Sequence, residues 1–253
     1  MTTGKTEIVI MGTIHGRHDQ NPRYSADVLR KILLDLQPAA ICVELDGYYF
    51  DPDGSLQRWV VEREELRAAS PEIVVAESVC STLGIEILPF DIEGKQEFFQ
   101  QTGFWERARQ TSEAIDKWHQ QLSAEHPEPE DLEHWRTLEN VDAALDVISM
   151  TQGPEEINCD AYDRLAHVKG SSVWNTILSR YPDLWQEVGE YKQLSYDWWQ
   201  KQNSAMAENL SRIADRFCGK RIAVAVGAAH RYILRDKLST DDSVTLTEFW
   251  AAP

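Results

Sequence analysis

Positive charge is scarce in this chain. Its 253 residues carry 25 lysines and arginines against 42 aspartates and glutamates, a formal net charge of −17. A surface of that sign repels phosphate backbones and anionic membrane faces, which argues against nucleic-acid and membrane partners. Long apolar runs are also missing. None approaches the roughly 20 residues needed to cross a bilayer. The first one, Glu7-Ile-Val-Ile-Met11, is too short for the apolar region of a signal peptide, so a cytoplasmic location is expected. Cysteine is sparse: Cys42, Cys80, Cys159 and Cys218 form no C-x-x-C pair, and free thiols in a reducing compartment are expected. There is no H-E-x-x-H, no P-loop, no G-x-G-x-x-G after a strand and no G-x-S-x-G. Readings as an ATPase, a dinucleotide enzyme or a serine hydrolase lose their usual support.

What the chain does contain is ordinary globular composition, 42% hydrophobic and 26% charged, and one pattern that occurs twice. The stretch Ile8-Val-Ile-Met-Gly-Thr-Ile-His15 is a short apolar run that stops at a glycine and delivers a histidine three residues later. Near the other end, Ile222-Ala-Val-Ala-Val-Gly-Ala-Ala-His230 does the same. Both read as a buried strand followed by G-x-x-H.

Taken in order, Glu7–Met11 predicts a strand. Apolar spacing at Val28, Ile32, Leu33 and Leu36 predicts a helix over 24–36, stopped by Pro38. Ala39–Val43 predicts a second strand, which makes a β-α-β unit with parallel strands. Helices are expected over 56–69 and 72–83, with Ser70-Pro71 between them as an N-cap and a first-turn proline. A third strand is expected over 84–90. From 94 to 200 strand signals vanish and seven of the nine tryptophans appear, so this stretch reads as a helical insertion within one domain spanning 1–253. Its tryptophans are expected in helix–helix cores, some of them lining a cleft. His126-Pro-Glu-Pro-Glu-Asp131 marks a tip between helices. A helix over 195–216, with Gly219 as its cap, then a strand over 221–226, a helix over 228–238 and an edge strand within 243–249 complete the chain. The fold class is α/β: a mixed, mostly parallel central sheet flanked by helices.

In such sheets ligands bind outside the carboxyl ends of the strands. The first strand delivers His15, with His18 and Asp19 behind it. The second delivers Glu44 and Asp46, the third Asp91 and Glu93, and the fourth His230. Two imidazoles and one or two carboxylates suit a divalent metal (Mn, Zn or Fe). The same set without metal suits acid/base chemistry on a glutamate-held water. Gly12 and Gly227 are expected to allow a sharp turn or a close approach, and amides after Gly227 to stabilise an oxyanion. His119, His126, His134 and His167 lie in polar helical stretches and carry no role.

Gly12-Thr-Ile-His15, Val43-Glu-Leu-Asp46 and Gly227-Ala-Ala-His230 resemble motifs of the TraB/TIKI superfamily, which takes in GumN-like proteins and, more remotely, erythromycin esterases and ChaN-like haem-binding proteins. Asn203-Ser-Ala-Met206 resembles its helical motif. The resemblance covers 1–91 and 195–249. It implies hydrolase chemistry with His15, Glu44 and His230 as site residues, all three also candidate metal ligands. Gln202 stands where the resembled motif has arginine, so the site cation is expected to be either missing or supplied by Arg17 or Arg231. Asp91 is expected to orient a histidine; Arg17, Asp46, Asn203 and Arg231 are expected to contact substrate. The expected function is hydrolysis of a small ester, amide or peptide. The alternative is a ligand- or haem-binding module that keeps the fold without catalysis.

Overall fold

A computed structural model describes residues 4–124, 129–171 and 173–252; the first half of the expected inter-helix tip, 126–128, lies outside the described residues. The chain is α/β, with five parallel strands in the order β3-β2-β4-β1-β5. The strands are β1 (Thr6–Thr13), β2 (Ala40–Val43), β3 (Glu86–Pro89), β4 (Arg221–Gly227) and β5 (Val244–Leu246). The sheet is thus wholly parallel rather than mixed among the described residues: even β5 runs parallel to β1.

Between β1 and β2 lies α1 (Ala26–Leu36). Between β2 and β3 lie α2 (Arg58–Glu62), α3 (Glu64–Ala69) and α4 (Pro71–Leu83). The long excursion from β3 to β4 holds α5 (Lys95–Thr102), α6 (Phe104–Ala124), α7 (Pro129–Thr151), α8 (Pro154–Ile157), α9 (Asp160–Gly170), α10 (Val173–Leu178) and α11 (Pro182–Arg216). Finally α12 (Ala228–Leu238) links β4 to β5. The helix expected over 195–216 begins earlier than its spacing indicated. One helix of 35 residues, α11, runs from Pro182 through the expected end of the insertion and joins insertion and core. It ends at Arg216 with Phe217 as its cap, so Gly219 (φ 72°) belongs to the turn beyond.

The sheet is buried on both faces, which is why its strands read as continuous apolar runs rather than alternating ones. Val9, Met11, Ile41, Val43 and Ala223 meet Leu29 and Leu33 of α1 and Val75, Ala76 and Val79 of α4. Ile8, Ile10, Cys42, Ile222, Val224 and Val226 point the other way, onto Met206, Leu210 and Ile213 of α11 and Leu234 and Leu238 of α12. Each fully buried Leu, Ile or Met contributes roughly 1.5–3 kcal/mol. The insertion has a core of its own around Trp135, Leu138, Leu178, Leu184 and Val188.

The strand order positions the site. β4 lies between β1 and β2, with Thr13 opposite Gly227 and Val43 opposite Ala225. Three adjacent strands therefore end at one rim and present His15, Glu44 and His230 there. The chain leaves β1 toward α1 on one face and leaves β4 toward α12 on the other. Diverging connections of this kind open a crevice at the strand ends.

Candidate active site

Glu44 sits at the centre of that rim. Its Oε2 accepts the Gly227 amide at 2.8 Å, and its Oε1 lies 3.6 Å from His230 Nε2 and 3.6 Å from Lys95 Nζ. His15 completes the cluster. Gly227 has no side chain to hold it away: a Cβ there would lie 2.5 Å from His15 Nε2 and 3.3 Å from Glu44 Oε2. Gly227 adopts φ −51°, which any residue tolerates, so this glycine serves close approach and not backbone freedom. Gly12 does the same job elsewhere: a Cβ on it would meet the Ala228 Cα at 2.9 Å, and its amide donates to Asn158 Oδ1. The strained residue is His15 itself, with φ 51° in the left-handed region. Such a conformation costs of order 1–3 kcal/mol in a residue other than glycine and is concentrated at functional sites.

Both imidazoles are oriented by a bond at Nδ1. His15 Nδ1 pairs with Glu72 Oε1 at 2.6 Å, and Glu72 is buried at the start of α4. His230 Nδ1 donates to Asn203 Oδ1 at 2.8 Å, Asn203 in turn donates to the Trp199 carbonyl, and the Trp199 ring stacks on the imidazole at 4.2 Å. Each ring therefore keeps Nε2 for the site. This is how a metal-ligating or catalytic histidine is usually held.

The charges are set by the surroundings. Partial burial opposes the positive charge on His15, but the Glu72 hydrogen bond and the Glu72 and Glu44 carboxylates outweigh it and raise the imidazole to about 9. Burial dominates at His230 and lowers its pKa, against the pull of Glu44, so this ring is neutral at pH 7. Burial also works against the Glu44 charge. His230, Lys95, His15 and the Gly227 amide more than offset it, and the carboxyl is held below the usual range. With His230 neutral, the standing cations facing Glu44 are Lys95 and His15. Burial disfavours the Lys95 ammonium too, yet Glu44 and Asp91 keep its pKa raised. The rim thus carries one charged and one neutral imidazole around an ionised carboxylate.

Several expected site residues have other partners. Asp91 contacts no histidine; it binds Lys95 Nζ at 2.7 Å, Gln202 Nε2 at 2.9 Å and the Ile92 amide, so the group it orients is the lysine. Arg231 is fully buried between Asp163 and Glu248 and cannot reach substrate. Arg17 borders the cleft but pairs with Asp146 at 2.7 Å. The cation expected from one of these two comes instead from Lys95. Asp46 is buried and caps the Tyr48 amide, Glu93 receives the Gly47 amide, and Asn203 holds His230. His18 is a loop organiser, bonding the Tyr24 carbonyl and the Ile14 amide.

Glu72 and Lys95 are absent from the expectations drawn from sequence. Lys95 had a signal, four residues past Asp91 at the first position of α5. Glu72 had none, since 57 residues separate it from His15.

Two hollows meet at the rim. One, of about 180 Å³, lies on the Asp46, Glu72 and Asp91 side. The other is a cleft of about 820 Å³ roofed by the insertion, with Trp105, Trp174, Trp198 and Trp199 in its wall and His15, Glu44 and His230 at its inner end. The cleft role expected of some tryptophans falls to these four, and Trp135 is core.

The donor set of two imidazole nitrogens and a carboxylate, each ring fixed at its other nitrogen, is chemically suited to a divalent metal. Among the described residues, no three His, Cys, Asp or Glu side chains are gathered closely enough to hold one. No described helix is long and apolar enough to cross a membrane. No protein-family model, curated protein or solved structure matches this chain.

Proposed function

We propose that the chain is a hydrolase acting on a small ester, amide or peptide bound in the large cleft. The observation that carries this reading is the convergence of two Nδ1-anchored imidazoles on Glu44 in the lining of the cleft. The TraB/TIKI-like motifs supply the same three residues. The 3.6 Å between His230 Nε2 and Glu44 Oε1 is too long for a direct hydrogen bond, which leaves both atoms able to hold a water from the cleft side.

In this mechanism Glu44 orients the water and neutral His230 takes its proton at Nε2 as the oxygen attacks the substrate carbonyl. Asn203 Oδ1 accepts the hydrogen bond of the Nδ1–H, which stays on the resulting imidazolium. Lys95 and charged His15 face the developing oxyanion, and His15 gives its Nε2 proton to the leaving oxygen or nitrogen as the C–O or C–N bond breaks. A divalent metal (Mn, Zn or Fe) would need His15 deprotonated and His15, Glu44 and His230 drawn closer together than they stand; held so, it would add polarisation of the carbonyl and a more acidic water. The aromatic wall, with Trp199 stacked on His230, also favours a second reading, a ligand- or haem-binding module.

The test is hydrolysis of p-nitrophenyl esters and p-nitroanilides by untagged protein, with chelator and with each metal. Removing a general acid or base typically costs about 10²–10⁴-fold. His15→Ala and His230→Ala should each lose activity on that scale without losing the folded transition. Wild-type rates in both variants would overturn the assignment. A protein inert toward both substrate classes that binds one organic ligand tightly would favour the binding module.

A further inference from the structure

The cleft continues well past the rim. Lys192, Ser195, Tyr196, Trp199 and Gln202 of α11 all line it. Their spacing of 3, 4, 7 and 10 residues from Lys192 puts them on one helical face, so the cleft follows the α11 axis for about 15 Å from Lys192 to Gln202.

The cations along this path are not equivalent. Arg17 is paired with Asp146, Lys169 with Asp142, and Lys95 with Asp91. Among the described residues Lys192 has no carboxylate within ion-pair distance. Its closest recorded partner is the Trp174 ring, with Nζ 5.9 Å from the centroid. Burial lowers its pKa and only the more distant Asp142 pulls the other way. A half-buried ammonium without a counter-ion is costly, and one aromatic face returns only part of the loss. Trp198, in the same wall, has an indole N–H that is buried and bonded to no protein group. Both features suit a ligand that brings acceptors into the cleft.

We propose that the outer end of the cleft is an anion subsite in which Lys192 binds the carboxylate of an elongated, amphipathic substrate. The apolar body of that substrate lies along Tyr196, Trp174 and Trp199, and its other end reaches Glu44. The monoanion is favoured over a phosphate dianion because one ammonium is free while Lys169 and Arg17 are already neutralised. The net charge of −17 does not forbid this. At physiological salt, charges farther off than about 8 Å are largely screened, whereas a contact pair in a partly buried cleft is not. The subsite rests on the cleft itself; only the placing of a scissile bond at the far end rests on the hydrolase reading.

The experiment is calorimetric binding of dodecanoate, dodecyl phosphate and dodecanol below their micellar concentrations. Wild-type protein should bind dodecanoate about tenfold or more tighter than dodecanol, the scale of one charge-assisted hydrogen bond, and tighter than dodecyl phosphate. Lys192→Met should remove the preference for dodecanoate and leave dodecanol binding unchanged, while Lys192→Arg should keep the preference. His15→Ala should retain it too, so a failed hydrolase reading leaves this result intact. Equal affinity of wild type for dodecanoate and dodecanol, or a preference that survives Lys192→Met, would overturn the subsite. A clear preference for the phosphate would overturn the monoanion.

Discussion

Replacing Gly227 by alanine tests the geometry of the rim apart from its chemistry, because it deletes none of the candidate catalytic groups and displaces one of them. The new Cβ would lie 2.5 Å from His15 Nε2, closer than atoms can approach, and tightly at 3.1 Å from its Cε1 and 3.3 Å from Glu44 Oε2. The backbone has no objection at φ −51°, so the imidazole must move. Its side chain is 47% exposed and has room to swing outward, at the cost of its bond to Glu72. Overpacking in a closed core costs about 1–3 kcal/mol, but a side chain free to leave should hold the cost to about 1 kcal/mol. For a chain of this size that is a fall of about 2–4 °C in Tm. Ester hydrolysis should fall at least a hundredfold, in line with losing a positioned acid. Gly12→Ala makes the contrast: its Cβ meets Ala228 Cα at 2.9 Å, buried backbone that cannot swing away. That variant should lose the full 1–3 kcal/mol. Adding His15→Ala to Gly227→Ala should restore Tm to that of His15→Ala alone. Scanning calorimetry and the ester assay read all four proteins. Gly227→Ala with wild-type turnover would refute the placing of His15 as a working group.

Other substitutions test the surroundings. Arg231→Ala leaves buried Asp163 and half-buried Glu248 with Arg235 as their remaining cation, at 3.1 and 3.2 Å, so urea unfolding should show a loss smaller than the roughly 3–5 kcal/mol of a buried charge left uncompensated. Asn203→Leu removes the acceptor that fixes the His230 tautomer; kcat for ester hydrolysis should drop at least tenfold with KM little changed, and equal falls in activity and stability would point to a packing role instead. Ellman's reagent should label Cys218 quickly in the native protein and reach Cys42 and Cys80 only in denaturant, because the first is exposed and burial pushes the other two thiols up. Rapid native labelling of Cys42 would contradict the buried centre of the sheet.

The local pattern carried much of this protein. β-branched runs ended by glycine predict β1 and β4, and the periodicity from Val28 to Leu36 predicts α1, since burial on both faces or on one stripe leaves a mark on neighbouring residues. The same logic put His15, Glu44 and His230 at strand ends together with His18, Asp19, Asp46, Asp91 and Glu93, because residues just past a strand's end are forced onto one rim; the resemblance alone singled out the three. What local pattern does not contain is which strands are neighbours. Inserting β4 between β1 and β2 brings Gly227 under His15 and against Glu44. Pairing across 182 residues, as of Val43 with Ala225, is chosen by the packing of the whole sheet. The partners that set charge and tautomer are equally remote in sequence. Glu72 reaches His15 from α4, and Arg231, next to a site histidine, turns into the interior because Asp163 and Glu248 wait there. A side chain's neighbour along the chain follows from spacing. Its neighbour in space follows from how helices and strands close around a common core, and at this rim only the closed fold decides which imidazole is charged and which cation faces the carboxylate.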